Sequence, residues 1–166
     1  MSLTVGALTD RVLVIGIGNE FRSDDAAGLA VVRELANRDI TGVTVLQLAG
    51  DAPGLLDAWR GWKRVIVIDS VRSGADPGII HRLQEGQLGG LDNLAGVSTH
   101  GLGLAEAVGL AEAMDQLPPG LTIYGIEGKD FEYGRGLSPE VAKAVSQVAC
   151  YILEDLQCTS TASPGI

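Results

Sequence analysis

Short apolar runs alternate along this chain with segments whose apolar residues recur every three to four positions. The runs lie at residues 12–15, 43–48, 65–68 and 121–126. The periodic segments include residues 29–36, 55–59, 104–111 and 141–152. Runs with few polar residues are typical of strands covered on both faces, and the periodic segments are typical of helices with one buried face. This alternation predicts an α/β fold: a three-layer α/β/α sandwich with a mostly parallel twisted sheet in one domain.

The segments between these elements are less regular. Residues 77–83 follow a glycine-containing turn and predict a peripheral strand, whereas residues 84–97 are glycine-rich and predicted to be irregular. A helix is predicted to begin near Ser98 or Thr99. The last helix has the clearest start, because Ser138-Pro139 combines a good N-cap residue with a proline at the first helical position.

The chain of 166 residues divides into three parts. Residues 1–10 are predicted to be a short N-terminal leader, and residues 11–157 form the α/β domain. Residues 158–166 end in a stretch of small and polar residues that predicts a disordered tail.

Composition narrows the range of partners. The formal net charge is −9, which argues against nucleic acid and against anionic membranes, since both require a basic face. The two cysteines, Cys150 and Cys158, lack the C-x-x-C spacing of a thiolate metal site. No run resembles a signal peptide or a membrane span, so the protein is expected to be cytoplasmic.

The loop after the first strand carries the most informative motif. It runs from Gly16 to Gly28 and contains two adjacent carboxylates, Asp24 and Asp25. A strand, glycine loop and helix often bind a dinucleotide, but that fingerprint requires a third glycine where Phe21 stands. Two acids at the start of a helix would also repel a phosphate. The loop therefore favours a cation.

Further candidate ligands follow other predicted elements. Asp69 ends the third strand and His100 opens a helix, so both are expected near the acidic pair at the carboxyl edge of the sheet. Two carboxylates and an imidazole suit a divalent transition ion. Each residue also has a structural alternative: Asp24 could favour the helix dipole with Ser23 as N-cap, Asp69 could cap a turn, and His100 could be an ordinary core or surface histidine.

Together these motifs resemble the hydrogenase maturation endopeptidases, which process the large-subunit precursors of nickel–iron hydrogenases. The resemblance covers about residues 12–156. It rests on Gly-x-Gly-Asn with a following acidic pair, on the strand-end Asp69, on Ser98-x-His100 before a leucine-containing helix, and on Gly-Leu-Ser-Pro at residues 136–139.

The resemblance implies that Asp25, Asp69 and His100 are metal ligands and that Gly16, Gly18 and Asn19 shape the loop beside them. It also implies an endopeptidase that removes a C-terminal extension from the hydrogenase large-subunit precursor. The divalent metal would be nickel delivered with that substrate.

Further residues around the cleft also have predicted roles. Asp24 is the nearest candidate for a general base. Asp51 most simply caps the helix that follows it, but Ala49-Gly50-Asp51 also stands where the family often has Gly-Gly-Thr, and Glu127 stands where a proline is common. These departures place Asp51 and Glu127 in the expected substrate cleft and bear on substrate choice more than on metal binding.

Three other functions remain open from the sequence. One is a generic metal-dependent peptidase or amidohydrolase with its own ion. Another is a flavodoxin-like binding module, although the acidic first loop is a poor phosphate site. The third is a non-catalytic regulator that has kept the fold.

Overall fold

A five-stranded sheet positions the candidate residues. The computed structural model describes residues 3–4, 11–94 and 101–160. The strands are β1 (Leu3–Thr4), β2 (Val12–Ile17), β3 (Ile40–Thr41), β4 (Val43–Leu48), β5 (Arg64–Val71), β6 (Ile80–Leu83) and β7 (Gly120–Glu127). The helices are α1 (Ala27–Ala36), α2 (Ala52–Trp59), α3 (Leu91–Leu94), α4 (Gly101–Ala113) and α5 (Pro139–Ser160). Two 3₁₀ turns span Ser23–Ala26 and Leu88–Gly90.

The main sheet is mostly parallel, as predicted. Its strand order is β4-β2-β5-β7-β6, and only β6 runs antiparallel to its neighbour. The register pairs Ile17 with Leu48 and Val71 with Glu127, so the carboxyl ends of β2, β4, β5 and β7 lie along one edge. Strands β1 and β3 form a separate parallel pair.

Helices cover both faces of the sheet and confirm the predicted sandwich. Along β2, Val12 and Val14 belong to the core cluster that contains α1 and α5, whereas Leu13 and Ile15 belong to the cluster of α2 and α4. Because successive strand residues point to opposite faces, an apolar strand of this kind contributes to two cores at once. All four of these side chains are fully buried.

Two glycines allow α1 to approach the sheet closely. A Cβ atom on Gly16 would lie 2.3 Å from the carbonyl oxygen of Gly28, and one on Gly28 would lie 2.4 Å from the carbonyl oxygens of Ile17 and Ile68. Both distances are far below van der Waals contact, so any larger residue would push α1 away from the strands. The first loop is thereby held tightly against the carboxyl edge.

The segment predicted to be irregular contains two short helical elements instead. Residues 84–97 include the 3₁₀ turn and α3, which place Leu88, Leu91 and Leu94 in the interior. These leucines are spaced by three residues, which is close to one helical turn. The neighbouring Gly89 and Gly90 hide this signal in the sequence, because glycine disfavours helices.

The structure also changes the expected boundaries at both ends. Helix α5 continues through Ser160, so the first residues of the predicted tail are helical. Leu3–Thr4, within the predicted leader, pairs with β3. The predicted helix start at Ser98 or Thr99 lies outside the described residues.

A membrane-spanning helix requires about 20 apolar residues, and no helix within residues 3–4, 11–94 and 101–160 is long and apolar enough.

Candidate functional site

Two of the predicted ligands meet at the carboxyl edge of the sheet. Asp25 lies in the 3₁₀ turn that follows β2, and Asp69 lies near the end of the adjacent strand β5. The Ser70 hydroxyl donates a hydrogen bond to Oδ1 of Asp25 at 3.2 Å, and the Ser70 backbone N–H donates to Oδ1 of Asp69 at 2.8 Å. The two carboxylates therefore share one residue as their hydrogen-bond partner.

All three residues of this arrangement are shielded from solvent. Asp25 and Ser70 are fully buried and Asp69 is 3% exposed. Burying carboxylates is costly unless each has hydrogen-bond partners or a cation. The burial of Asp25 and Asp69 is therefore consistent with a preformed binding site. Ser70 is not among the site residues predicted from the sequence. The sequence feature that could have indicated Ser70 is its position as a hydroxyl residue directly after Asp69.

The third predicted ligand, His100, lies outside the described residues. Gly101, the next residue, begins α4, and α4 reaches the same edge of the sheet. A Cβ on Gly103 would lie 1.9 Å from the carbonyl oxygen of Gly50, which follows β4. Within the described ranges, which omit His100, no group of three or more His, Cys, Asp and Glu residues is placed to hold a metal ion.

Asp24, the neighbour of Asp25, faces a different part of the protein. Its Oδ2 accepts the backbone N–H groups of Lys129 and Asp130 at 2.8 and 2.9 Å. Its Oδ1 accepts the backbone N–H of Ser138 at 2.8 Å, and the Ser138 hydroxyl also donates to Oδ2. This fully buried carboxylate thus anchors the loop between β7 and α5 to the first loop.

The environment of Asp24 favours its charged form. Burial acts to raise the pKa of Asp24, but the hydrogen bonds from Ser138, Asp130 and Lys129 outweigh burial and hold the pKa below its ordinary value of 3.8. A carboxylate with a lowered pKa is a weaker base. The geometry therefore supports an anchoring role for Asp24 better than the general-base role considered from the sequence.

Ser23 is not the N-cap predicted from the sequence. A 3₁₀ turn precedes α1, and Ser23 is its first residue, with a left-handed φ of 51°. The cap position of this turn is Arg22 and that of α1 is Ala26, and neither makes a side-chain cap bond. The Ser23 hydroxyl instead donates to the carbonyl oxygen of Glu132 at 2.9 Å, because the inserted turn directs it toward the loop after β7.

Gly18 and Asn19 lie where the chain turns toward Asp25. A Cβ on Gly18 would lie 2.1 Å from the carbonyl oxygen of Asp25, so only glycine fits there. The Asn19 side chain accepts the backbone N–H of Phe21 at 2.9 Å, which closes a local turn.

Asp51 and Glu127, both predicted for the substrate cleft, each accept hydrogen bonds from other residues of this chain. Asp51 caps α2 by accepting the backbone N–H of Gly54 at 2.9 Å. Glu127 is 1% exposed and accepts the backbone N–H and hydroxyl of Ser73, each at 2.8 Å. It also accepts the Gly74 N–H at 3.1 Å and lies 3.2 Å from Nε2 of His81. Glu127 thus fixes the loop after β5 to the end of β7.

The Asp24 anchor gives a prediction about pH. Asp24→Asn should lower the free energy of unfolding by about 2–4 kcal/mol near neutral pH, since an amide NH₂ would face several buried donors. Because the folded pKa is depressed, the contribution of the carboxylate is fully present above pH 3.8 and is lost as pH falls through the lower folded value. Urea unfolding at a series of pH values should therefore show a constant difference in unfolding free energy between wild type and Asp24→Asn above pH 3.8. Below pH 3.8 this difference should narrow. A gap that widened toward acid would contradict this role, and Asp57→Asn, at an exposed position, is the control.

Comparison with known proteins identifies the family. The family model described as hydrogenase maturation protease matches residues 29–155. The chain belongs to the hydrogenase maturation protease family. This membership confirms the resemblance seen in the sequence and the expected enzyme class, a peptidase. The matched range includes Asp69 and begins just after the acidic pair.

Individual relatives in this family are similar over nearly the whole chain. The hydrogenase 2 maturation protease of Escherichia coli strain K12 is 29% identical over 150 residues, covering 89% of this chain and 91% of its own length. The solved E. coli hydrogenase maturating endopeptidase HybD superposes with a TM-score of 0.77 at 26% identity, covering 90% of this chain and 94% of that one. The [NiFe] hydrogenase maturation protease HybD from Thermococcus kodakarensis gives 0.71 at 30% identity, covering 89% and 99%.

Proposed function

We propose that this protein is an endopeptidase that removes a C-terminal extension from a nickel-loaded hydrogenase large-subunit precursor. Family membership supports the reaction class, and the names of the relatives supply hydrogenase maturation as the process. The observation that carries the proposal further is the meeting of Asp25 and Asp69 through Ser70 at the carboxyl edge of the sheet. Ligand sites of parallel sheets form at that edge.

The nickel ion in this proposal is part of the substrate. Asp25 and Asp69 supply carboxylate oxygens, and His100 supplies an imidazole nitrogen, which together suit a borderline divalent ion. The buried position of both carboxylates restricts access to an ion that arrives on a chain fitting the cleft. Recognition would then depend on completing a coordination sphere that the precursor has already begun.

The described residues, which do not include His100, do not form a nucleophile triad. In the described part of the chain, the His81 ring contacts the carboxylate of Glu127 rather than a serine or cysteine positioned to attack. The Ser73 hydroxyl also donates to Glu127. Hydrolysis is therefore assigned to water or a scissile carbonyl polarised by the metal, with Asp25 and Asp69 positioning the ion.

Substrate range distinguishes the proposed endopeptidase from a general metallopeptidase. The purified protein should release one C-terminal fragment from the nickel-loaded precursor, detected by its mass, and should leave casein intact under the same conditions. Casein is a suitable comparison because it presents accessible peptide bonds without a bound nickel ion. Hydrolysis of casein at a comparable rate would favour the general metallopeptidase, and an intact nickel-loaded precursor would contradict the proposal.

A further inference from the structure

Two loops at the carboxyl edge are joined into one surface beside the candidate site. The backbone of Arg22 forms a bridge with Gly134, and the Gly134 N–H donates to the carbonyl oxygen of Phe21 at 2.9 Å. The Ser23 N–H donates to the carbonyl oxygen of Gly134 at 3.0 Å. With the Asp24 bonds already described, these contacts fix the loop after β7 against the loop after β2.

The outer side of these loops carries arginines stacked on aromatic rings. The guanidinium of Arg135 lies 4.9 Å from the ring centre of Phe21, and that of Arg22 lies 5.4 Å from the ring centre of Tyr133. Phe21 and Tyr133 are 49% and 84% exposed, which is unusual for large aromatic side chains.

A third arginine extends this surface from the neighbouring strand. Arg72 directly follows β5 and stacks at 4.4 Å over Phe131, whose ring is buried. We call the exposed residues Phe21, Arg72, Tyr133 and Arg135, together with the half-buried Arg22, the arginine–aromatic surface. Arg22 precedes Asp25 by three residues and Arg72 follows Asp69 by three. The surface therefore adjoins the candidate site.

The arginines of this surface form no ion pair within 4.0 Å in the described part of the protein. Arg33, Arg38, Arg60 and Arg82 each form an ion pair with a carboxylate. By contrast, among residues 3–4, 11–94 and 101–160 no carboxylate lies within ion-pair distance of Arg22, Arg72 or Arg135. The chain has 21 acidic and 12 basic residues, so three unpaired arginines in one place are a local exception.

Stacking leaves an arginine able to bind an anion. A guanidinium over a ring still has N–H groups along its edge, and their planar arrangement matches a carboxylate. The stack also restricts the side chain before binding, which lowers the entropic cost of forming a new ion pair. The exposed rings add apolar contact area of the kind found at the centre of protein interfaces.

We infer that the arginine–aromatic surface docks an acidic segment of the precursor and thereby brings the cleavage site to Asp25 and Asp69. This inference rests on the proposed function. Charge complementarity supports this occupant: the net charge of −9 disfavours an acidic partner over most of the surface, whereas these arginines favour one beside the site. Another acidic copy of this chain is the competing occupant.

The test compares two double variants that remove the same charge. Arg72→Gln with Arg135→Gln alters the arginine–aromatic surface, and Arg38→Gln with Arg60→Gln alters two exposed arginines that pair within their own helices or loops. In cleavage of the nickel-loaded precursor, the first pair should raise KM about tenfold at low salt while kcat stays within about a factor of two. The second pair should leave both constants unchanged.

Two further measurements distinguish charge from packing. The effect of the first pair should shrink at high ionic strength, because exposed charge interactions are screened. Arg72→Lys with Arg135→Lys should recover part of the loss, since lysine keeps the charge but not the planar geometry.

Failure of the proposed function and failure of the docking inference give different results. If the wild-type protein does not cleave the precursor, the proposed function fails. If it cleaves and both glutamine variants have the wild-type KM, only the docking inference is overturned. A wild-type dimer in sedimentation that dissociates in the first variant with KM unchanged would overturn it as well, by assigning the surface to self-association.

Discussion

Replacing Asp69 with Asn should slow cleavage of the nickel-loaded precursor by about a hundredfold or more while the protein stays folded. The amide keeps the shape of the side chain, and its oxygen can still accept the Ser70 N–H that Asp69 accepts at 2.8 Å. What the change removes is one negative charge from a buried pair that should hold a divalent ion. Asp25→Asn should have a similar effect for the same reason.

The experiment needs an ion-binding measurement beside the cleavage rate. Cleavage is followed by the mass of the released fragment, and affinity by titration with nickel or cadmium. Asp57→Asn, an exposed carboxylate on α2 that pairs with Arg60, is a control with the same chemical change. If Asp69→Asn equalled wild type in both measurements, Asp69 would be only a structural cap for Ser70.

The fold could be predicted from the sequence because its strands are buried on both sides. Runs such as Val65–Ile68 are apolar throughout, so tertiary packing and local pattern agree. The pattern failed where glycine interrupts it, at Leu88–Gly90 and α3. It also misassigned Ser23, because a 3₁₀ turn before α1 leaves no mark in the apolar spacing.

The candidate site could be predicted only in part. Asp25 follows β2 and Asp69 lies near the end of the adjacent strand β5, so the sheet topology alone brings them to one edge. The bonds of Asp24 to Lys129 and Ser138 join residues more than 100 positions apart, and nothing local in the sequence indicates them. The stacked arginines of the arginine–aromatic surface depend on the same joined loops and were not predicted either.

Removing nickel from the precursor should strongly slow its cleavage. Three protein ligands are proposed, and one of them, His100, lies outside the described residues. Among the described residues the structure brings together the carboxylates of Asp25 and Asp69, and two ligands are too few for a complete coordination sphere. If the ion arrives on the precursor, its remaining ligands arrive with it. A nickel-free precursor would then bind poorly in the transition state, although its peptide sequence is unchanged.

The most direct test is a paired incubation of the protein with nickel-loaded and nickel-free forms of the same precursor. The mass of the C-terminal fragment is followed over time, and the metal content of each precursor is measured beforehand. The nickel-loaded form should be cleaved at least about a hundredfold faster, which corresponds to roughly 3 kcal/mol of transition-state stabilisation. Equal rates for the two forms would contradict recognition through a shared nickel ion.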